Sequence, residues 1–350
     1  MQAFVSGASG YVGSRLIPSL LGAGHSVVAG FRDPAKASGY AWADQVEVRP
    51  FDLQDADSAR AALTGCEVGY FLVHSMTSSG YVDREAEAAR NFAAACEAAG
   101  CRSMVYLSGI VPEGELSDHL TSRLQVEEIL TEESPVPVMV FRAAVVLGAG
   151  STSFELIRRL VQRMPVLPAP QWLDHRVQPV AAADVVRVLI EAGESTPWNG
   201  HRDLVGPTVL SYPELISLFA EELGLSRTSL PLPDLSYDVA GPVMAKITGM
   251  PENTVTELVK SMGHDMVGDP ENSVVGRIGA REAVRRAVTG APTGTAADGD
   301  RQTAAGSDPD WVGDASVIDE PGLRSTLGHW RKLLQGAPAE LQERLRRALG

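Results

Sequence analysis

The sequence predicts a doubly wound α/β fold: a parallel sheet with helices on both faces, joined to a smaller, mostly helical C-terminal lobe. Three observations carry this. Strand-like and helix-like segments alternate through residues 1–145, and helices of such length between strands imply parallel pairing through right-handed crossovers. The strand segments are apolar runs without strict alternation, as expected where both faces are buried. The first of them leads through a glycine-rich turn straight into a helix.

In chain order, Ala3–Ser6 is a strand and Tyr11–Leu21 a helix with apolar residues at helical spacing. Ser26–Phe31 and Val46–Phe51 are strands, Asp55–Leu63 a helix and Val68–Val73 a fourth strand. Arg84–Ala99 is an alanine-rich helix stopped by Gly100. Ser103–Leu107 is a strand, Asp118–Glu132 a helix and Val136–Phe141 a sixth strand. Beyond Gly150 the pattern changes to a helix at Phe154–Met164, a proline-rich loop at Pro165–Pro179 and a helix at Ala182–Ala192. A short strand at Asp203–Val205 and a helix at Tyr212–Leu223 follow, then helical runs broken by proline and glycine over 230–290. Thr289–Pro309, rich in Gly, Ala, Thr and Asp, reads as a flexible loop, and Gly322–Leu349 as two short amphipathic helices. The expected organisation is a dinucleotide-binding unit over 1–150 and a lobe interleaved with the sheet over 151–290. A loop over 291–309 and a helical segment over 310–350 complete it.

Composition narrows the function class. The chain has 350 residues, 44% apolar and 21% charged, the mixture of a globular enzyme. Its net charge of −14 and lack of a basic stripe argue against a nucleic-acid partner. The arginines at 344, 346 and 347 are offset by Glu340 and Glu343 and suit the end of a solvated helix. Cys66, Cys96 and Cys101 are too few for a disulfide framework and match no zinc spacing, so no metal is expected. They fit small hydrophobes in a reducing compartment. The apolar N-terminus lacks a basic leader and contains Arg15, unlike a signal peptide. No apolar run is long enough to span a bilayer, and a cytoplasmic protein without a membrane partner is expected.

The turn Gly7-Ala8-Ser9-Gly10-Tyr11-Val12-Gly13 lies between strand and helix, the context that gives such a glycine pattern its force. Gly7 permits the tight turn, Gly10 lets backbone N–H groups approach a pyrophosphate, and Gly13 lets the helix pack close to the strand. The helix N-terminus adds its partial positive charge. This is the arrangement of a Rossmann dinucleotide site. A carboxylate at the end of the second strand would bind the ribose of NAD, and an arginine there would accept the 2′-phosphate of NADP. The strand ends Phe31-Arg32-Asp33. Arg32 favours NADP(H), with Asp33 as a ribose acid the competing reading. Asp52 and Leu53, just past the third strand, are placed to flank the adenine, although Asp52 also suits a helix cap.

Together with Gly7–Gly13, the segments Arg32-Asp33-Pro34, Phe51-Asp52-Leu53 and Tyr106-Leu107-Ser108 resemble the atypical short-chain dehydrogenase/reductases, in particular their NmrA-like, NAD(P)H-binding branch. Further matches are Tyr70–Met76, Arg142 with Gly148-Ala149-Gly150-Ser151, and Gln178-Pro179-Val180 before Asp184. The resemblance implies that Val73, His74 and Ser75 lie beside the nicotinamide, that Arg142 joins the cofactor site, and that the helix after the fifth strand carries the chemistry. That helix usually presents Tyr-x-x-x-Lys. Here none of the seven tyrosines is followed by Lys four residues later, and His119-Leu120-Thr121-Ser122-Arg123 occupies the position.

His119 and Arg123 share one helix face. A protonated His119 would be a general acid, Arg123 would hold the ribose or a substrate oxygen, and Ser108 would hydrogen-bond a carbonyl. The other reading makes His119 a surface residue and pairs Arg123 with Glu127. Trp172, His175 and Arg176 lie where a lid would sit but suit packing and solvent contacts. His264 and Asp265 are adjacent on the chain and point apart. The activity expected is NADPH-dependent hydride transfer to a small apolar carbonyl, enone or imine. A cofactor-binding sensor or scaffold without turnover, and a non-redox isomerase or lyase, are the alternatives. A homodimer is implied by the resemblance alone.

Overall fold

The computed structural model describes residues 1–73, 81–114, 116–232 and 236–289. His74 and Ser75, the loop expected at 291–309 and the helices expected over 310–350 lie outside the described residues.

Six strands of the central sheet come from the first part of the chain: β1 (Gln2–Val5), β2 (Ser26–Phe31), β3 (Glu47–Pro50), β4 (Val68–Phe71), β5 (Ser103–Gly109) and β6 (Val138–Ala143). They lie in the order β3-β2-β1-β4-β5-β6, and strands Gly200–Val205 and Ser273–Val275 extend the sheet beyond β6. All pairings in this sheet are parallel. Ala3 of β1 lies opposite Val27 on one side and Val68 on the other. The direction of winding therefore reverses between β1 and β4, and a crevice opens at their carboxyl ends.

The two sheet faces explain the unbroken apolar runs. Ala3 and Val5 pack with Leu16, Ile17 and Leu20 of α1 (Tyr11–Gly22), whereas Phe4 between them packs on the opposite side. That side is covered by α2 (Ala56–Leu63), α3 (Tyr81–Ala99) and α4 (Asp118–Glu132) through Ala59, Phe92 and Ile129. Gly100, at φ 71°, ends α3, and the N–H groups of Gly100 and Cys101 bond back to Glu97 and Cys96. This is the left-handed glycine stop anticipated from the sequence. The three cysteines are free and buried, and burial raises the Cys96 thiol pKa.

After β6 the chain leaves the sheet in α5 (Thr152–Arg163) and returns in α6 (Ala182–Glu194), which packs beside α1 through Val185 and Leu189. Helices α7 (Tyr212–Glu222), α8 (Tyr237–Thr248), α9 (Glu252–Ser261) and α10 (Ala280–Thr289) enclose with α5 a second core around Phe154, Phe219, Val255 and Val259. Ser211 and Glu214 form a capping box at the start of α7.

The second half differs from expectation in two places. The proline-rich stretch expected as a loop forms strand Val166–Pro170, paired in parallel with Thr228–Leu232 in a separate two-stranded sheet. Proline lacks an N–H but is tolerated on such an edge. Ser273–Val275, inside the region expected to be helical, is an edge strand of the main sheet. Three residues are too few to show a period.

Asp184 holds this edge in place. Its carboxylate is 2% exposed and accepts the backbone N–H groups of Arg277 and Ile278 at 2.9 and 2.8 Å, with Arg187 at 3.0 Å. Asp184→Ala would strand two part-buried backbone donors and leave Arg187 without this partner, and is expected to cost about 1–3 kcal/mol in denaturant unfolding. A loss below about 0.5 kcal/mol would contradict that role.

Candidate active site

The crevice at the carboxyl ends of β1 and β4 is a cleft of about 1330 Å³ that runs from the glycine turn to the helical lobe. Ser6 fixes its floor: the hydroxyl donates to Tyr70 O at 2.8 Å and accepts from Leu72 N at 3.1 Å, joining the two strands. Gly7 follows at φ 67°, where a Cβ would stand 2.8 Å from the Leu72 carbonyl oxygen. A Cβ on Gly13 would strike the Gly7 carbonyl, so this glycine serves helix packing and does not line the cleft. Gly10 caps α1 without a side-chain bond, and the first turn carries no acid. Ser9, Gly10, Tyr11 and Val12 line the opening, leaving the helix N-terminus facing it. These features fit a dinucleotide pyrophosphate: the helix N-terminus faces the opening, and Gly7 and Gly13 permit a turn tight enough to hold it there, which side chains would force apart. Arg15 steadies the turn: its guanidinium lies 3.8 Å over the Tyr11 ring and donates to Ala149 O at 3.0 Å.

At the nucleotide end the lining includes Arg32, Asp33, Lys36, Tyr40, Asp52 and Leu53. Asp33 is engaged in a turn, accepting Ala35 N at 3.2 Å. Asp52 likewise accepts Gln54 N at 3.0 Å, while the cap of α2 is Asp55. Arg32 and Lys36 are exposed. Tyr40 stacks on Trp42 with ring centroids 4.7 Å apart and donates to Ser9 O at 3.3 Å, tying this corner to the glycine turn.

At the other end β5 and α4 meet. Val73, Ser108, His119 and Arg123 all line the cleft. Arg123 Nη1 donates to Leu107 O at 2.7 Å, which fixes the guanidinium beside the end of β5. The Ser108 hydroxyl is buried and faces the Tyr106 phenol without closing a good hydrogen bond. Burial raises the Tyr106 pKa. The expected partner of Arg123, Glu127, instead binds Arg142 through bonds of 2.7 and 3.0 Å. Arg142 does not line the cleft. It points from β6 toward α4 and anchors that helix one turn after Arg123, so its assignment to the cofactor site is corrected.

His119 has a strongly altered acidity. Burial, reinforced by the Arg123 charge, lowers its pKa from 6.5 to about 3. In the protein without bound ligand the lowered pKa favours a neutral imidazole at neutral pH, whereas the sequence predicts a protonated general acid. The shift also has a stability consequence. Between pH 6.5 and 3 the unfolded chain takes up a proton at His119 that the folded chain does not. Stability is thus retained above the unfolded pKa and falls as the pH drops below it. His119→Gln is expected to flatten the fall in unfolding midpoint between neutral and mildly acidic pH. Identical acid slopes for the two proteins would refute the shift.

Sequence reasoning missed Lys36, Tyr40, Arg84, Glu85 and the lobe wall. Lys36 was detectable, lying four residues beyond Arg32 in the short helix Pro34–Gly39 that follows β2. Glu85, which accepts from Ser122 Oγ at 2.5 Å, gave no local signal. Trp172 is 5% exposed and packs 5.4 Å from Tyr237, outside the cleft lining. His175 and Arg176 pair with Asp265 at 3.2 and 3.1 Å and close a surface turn. Among the described residues no cluster of three or more His, Cys, Asp or Glu is arranged to hold a metal. No described helix is long and apolar enough to cross a membrane.

Comparison with known proteins agrees with this geometry. Residues 7–133 match the NAD(P)H-binding family. An uncharacterized protein of Mycobacterium tuberculosis is 27% identical over 253 residues, 72% of this chain, and the match spans about a quarter (26%) of that protein's length. A ceramide reductase of Caulobacter vibrioides is 28% identical over 244 residues, 68% of this chain and 75% of that protein. Among solved structures, the triphenylmethane reductase of Citrobacter superposes with a TM-score of 0.65 at 18% identity, covering 82% of this chain and 99% of that one. The NADPH-dependent quinone oxidoreductase of Escherichia coli gives 0.59 at 23% identity, covering 86% and 98%. A nucleoside-diphosphate-sugar epimerase of Staphylococcus aureus gives 0.66 at 14% identity, covering 81% and 100%. Residues 7–133 thus match the model of the NAD(P)H-binding family, and the chain shares the fold of these reductase and epimerase structures.

Proposed function

We propose that this protein is an NADPH-dependent reductase acting on a small apolar carbonyl, enone or imine. The observation that carries the reading is the fixed guanidinium of Arg123, held by Leu107 O at 2.7 Å beside the buried Ser108 hydroxyl at the end of the cleft away from the nucleotide corner. A preorganised charge of this kind stabilises an oxygen on which negative charge develops. When bound, the nicotinamide supplies the hydride. Ser108 and Arg123 would orient the acceptor oxygen, neutral His119 would offer it a ring N–H, and the proton that completes the reduced product would come from solvent. Arg123 stays charged throughout. The reductase names carried by relatives in Caulobacter, Citrobacter and Escherichia support hydride transfer.

The preference for NADP(H) rests on Arg32 and Lys36, two cations at the nucleotide corner, with Asp33 already engaged in its turn. Titration with each cofactor tests it. The natural protein is expected to bind NADPH at least about tenfold more tightly than NADH, and Arg32→Gln to weaken NADPH alone by roughly tenfold. Equal affinities in the natural protein would overturn the preference.

A further inference from the structure

Charge is distributed unevenly along the cleft. Every charged side chain that lines it among the described residues, Arg32 to Arg123, comes from the part of the chain before β6. The lobe contributes a wall of Leu156, Tyr212, Leu258, Met262 and Met266, with uncharged Thr152, Ser153, Thr254 and Ser261 among them. None of these can balance a carboxylate or phosphate. The N-terminus of α5 also faces this space. There Ser151 Oγ accepts Phe154 N at 3.3 Å, and the Glu155 carboxylate in the first turn accepts Gly150 N at 3.2 Å and is paired with Arg158 and Arg159. Burying an uncompensated anion there would be costly.

Two buried side chains of the wall, Thr254 and Tyr212, carry hydroxyls that have no hydrogen bond among the described residues. Thr254 is 6% exposed. Little of Thr254 but its free hydroxyl remains to be covered, and a ligand that hydrogen-bonds it replaces the water it would otherwise hold. Leu258 lies one helical turn from Thr254, and the two methionines provide adaptable surface.

We infer that the lobe half of the cleft takes an uncharged, extended apolar molecule bearing a second neutral polar group, a hydroxyl or an amide, which Thr254 recognises. Sugar nucleotides and other phosphorylated substrates are excluded from it. This rests on the reductase reading for the position of the reacting carbonyl and adds the character of the rest of the substrate.

The test is calorimetric binding to the full chain loaded with NADP⁺. Neutral methyl ketones lengthened one methylene at a time serve as probes. Affinity is expected to rise roughly threefold to fourfold per methylene until the wall is covered. Replacing the terminal methyl by a carboxylate should weaken binding on the order of a hundredfold. A hydroxyl walked along the longest ketone should gain roughly fivefold at one position, and the gain should vanish in Thr254→Val. A flat length series, or a carboxylate that binds as well as the ketone, overturns the neutral-ligand assignment. No hydroxyl position that separates Thr254→Val from the natural protein overturns the role of Thr254. Binding as expected by a protein that never consumes NADPH would refute the reductase reading alone; turnover with a flat series would refute this inference alone.

Discussion

Arg123→Met is expected to lower kcat for NADPH-dependent reduction by roughly 10²–10³-fold while leaving the affinity for NADPH within about threefold. Methionine preserves much of the side chain's volume but removes the charge that the proposed function places beside the acceptor oxygen. It also removes the bond to Leu107 O, so the end of β5 loses a contact. Arg123→Lys separates these effects. Lysine restores a charge without the planar fork and should recover only part of the rate. A kcat unchanged in Arg123→Met would remove this residue from the chemistry. A parallel loss of cofactor affinity would make it a ribose anchor instead.

The second large effect is expected at Gly7. In Gly7→Ala the new methyl would meet the Leu72 carbonyl at 2.8 Å, and the residue would have to hold φ 67°. The turn must open, and NADPH affinity should fall by more than about a hundredfold as the backbone donors lose their arrangement. Gly24→Ala is the matched control: its φ is 82° but nothing lies within 4 Å of the added carbon. It carries the backbone strain without disturbing the turn, so it should lower stability and leave cofactor affinity intact. If both variants bound NADPH equally well, the glycine turn would not be the pyrophosphate site.

The sheet was readable because its determinants are local. Ala3, Phe4 and Val5 are all apolar since neighbours feed opposite cores, and the Gly7–Gly13 spacing encodes the turn that follows. Gly100 ended its helix as anticipated. Strand Ser273–Val275 was hidden because its pairing with Asp203–Val205 depends on Asp184, some ninety residues away, gripping the segment that follows it. The prolines at 168 and 170 looked like loop residues because edge pairing leaves little trace in composition.

In the site, Arg32, Ser108, His119 and Arg123 could be singled out from position along the chain, and all four line one cleft. Their states could not be. Whether Arg123 faces Glu127 or Leu107 depends on Arg142, which arrives from β6 and takes the carboxylate. The acidity of His119 depends on burial and on Arg123, neither of which a sequence reveals. The uncharged lobe wall is assembled from α5, α7 and α9, so no single stretch of sequence displays it.

Hydride transfer itself can be followed directly. NADPH carrying deuterium at its transferable position would be incubated with neutral carbonyls, quinones and imines, and products examined by mass spectrometry for the label. Deuterium is expected on the former acceptor carbon with the natural protein and nearly absent with Arg123→Met. Product formed without the label, or NADPH held tightly and never consumed by any acceptor, would contradict the assignment of this fold to a reductase.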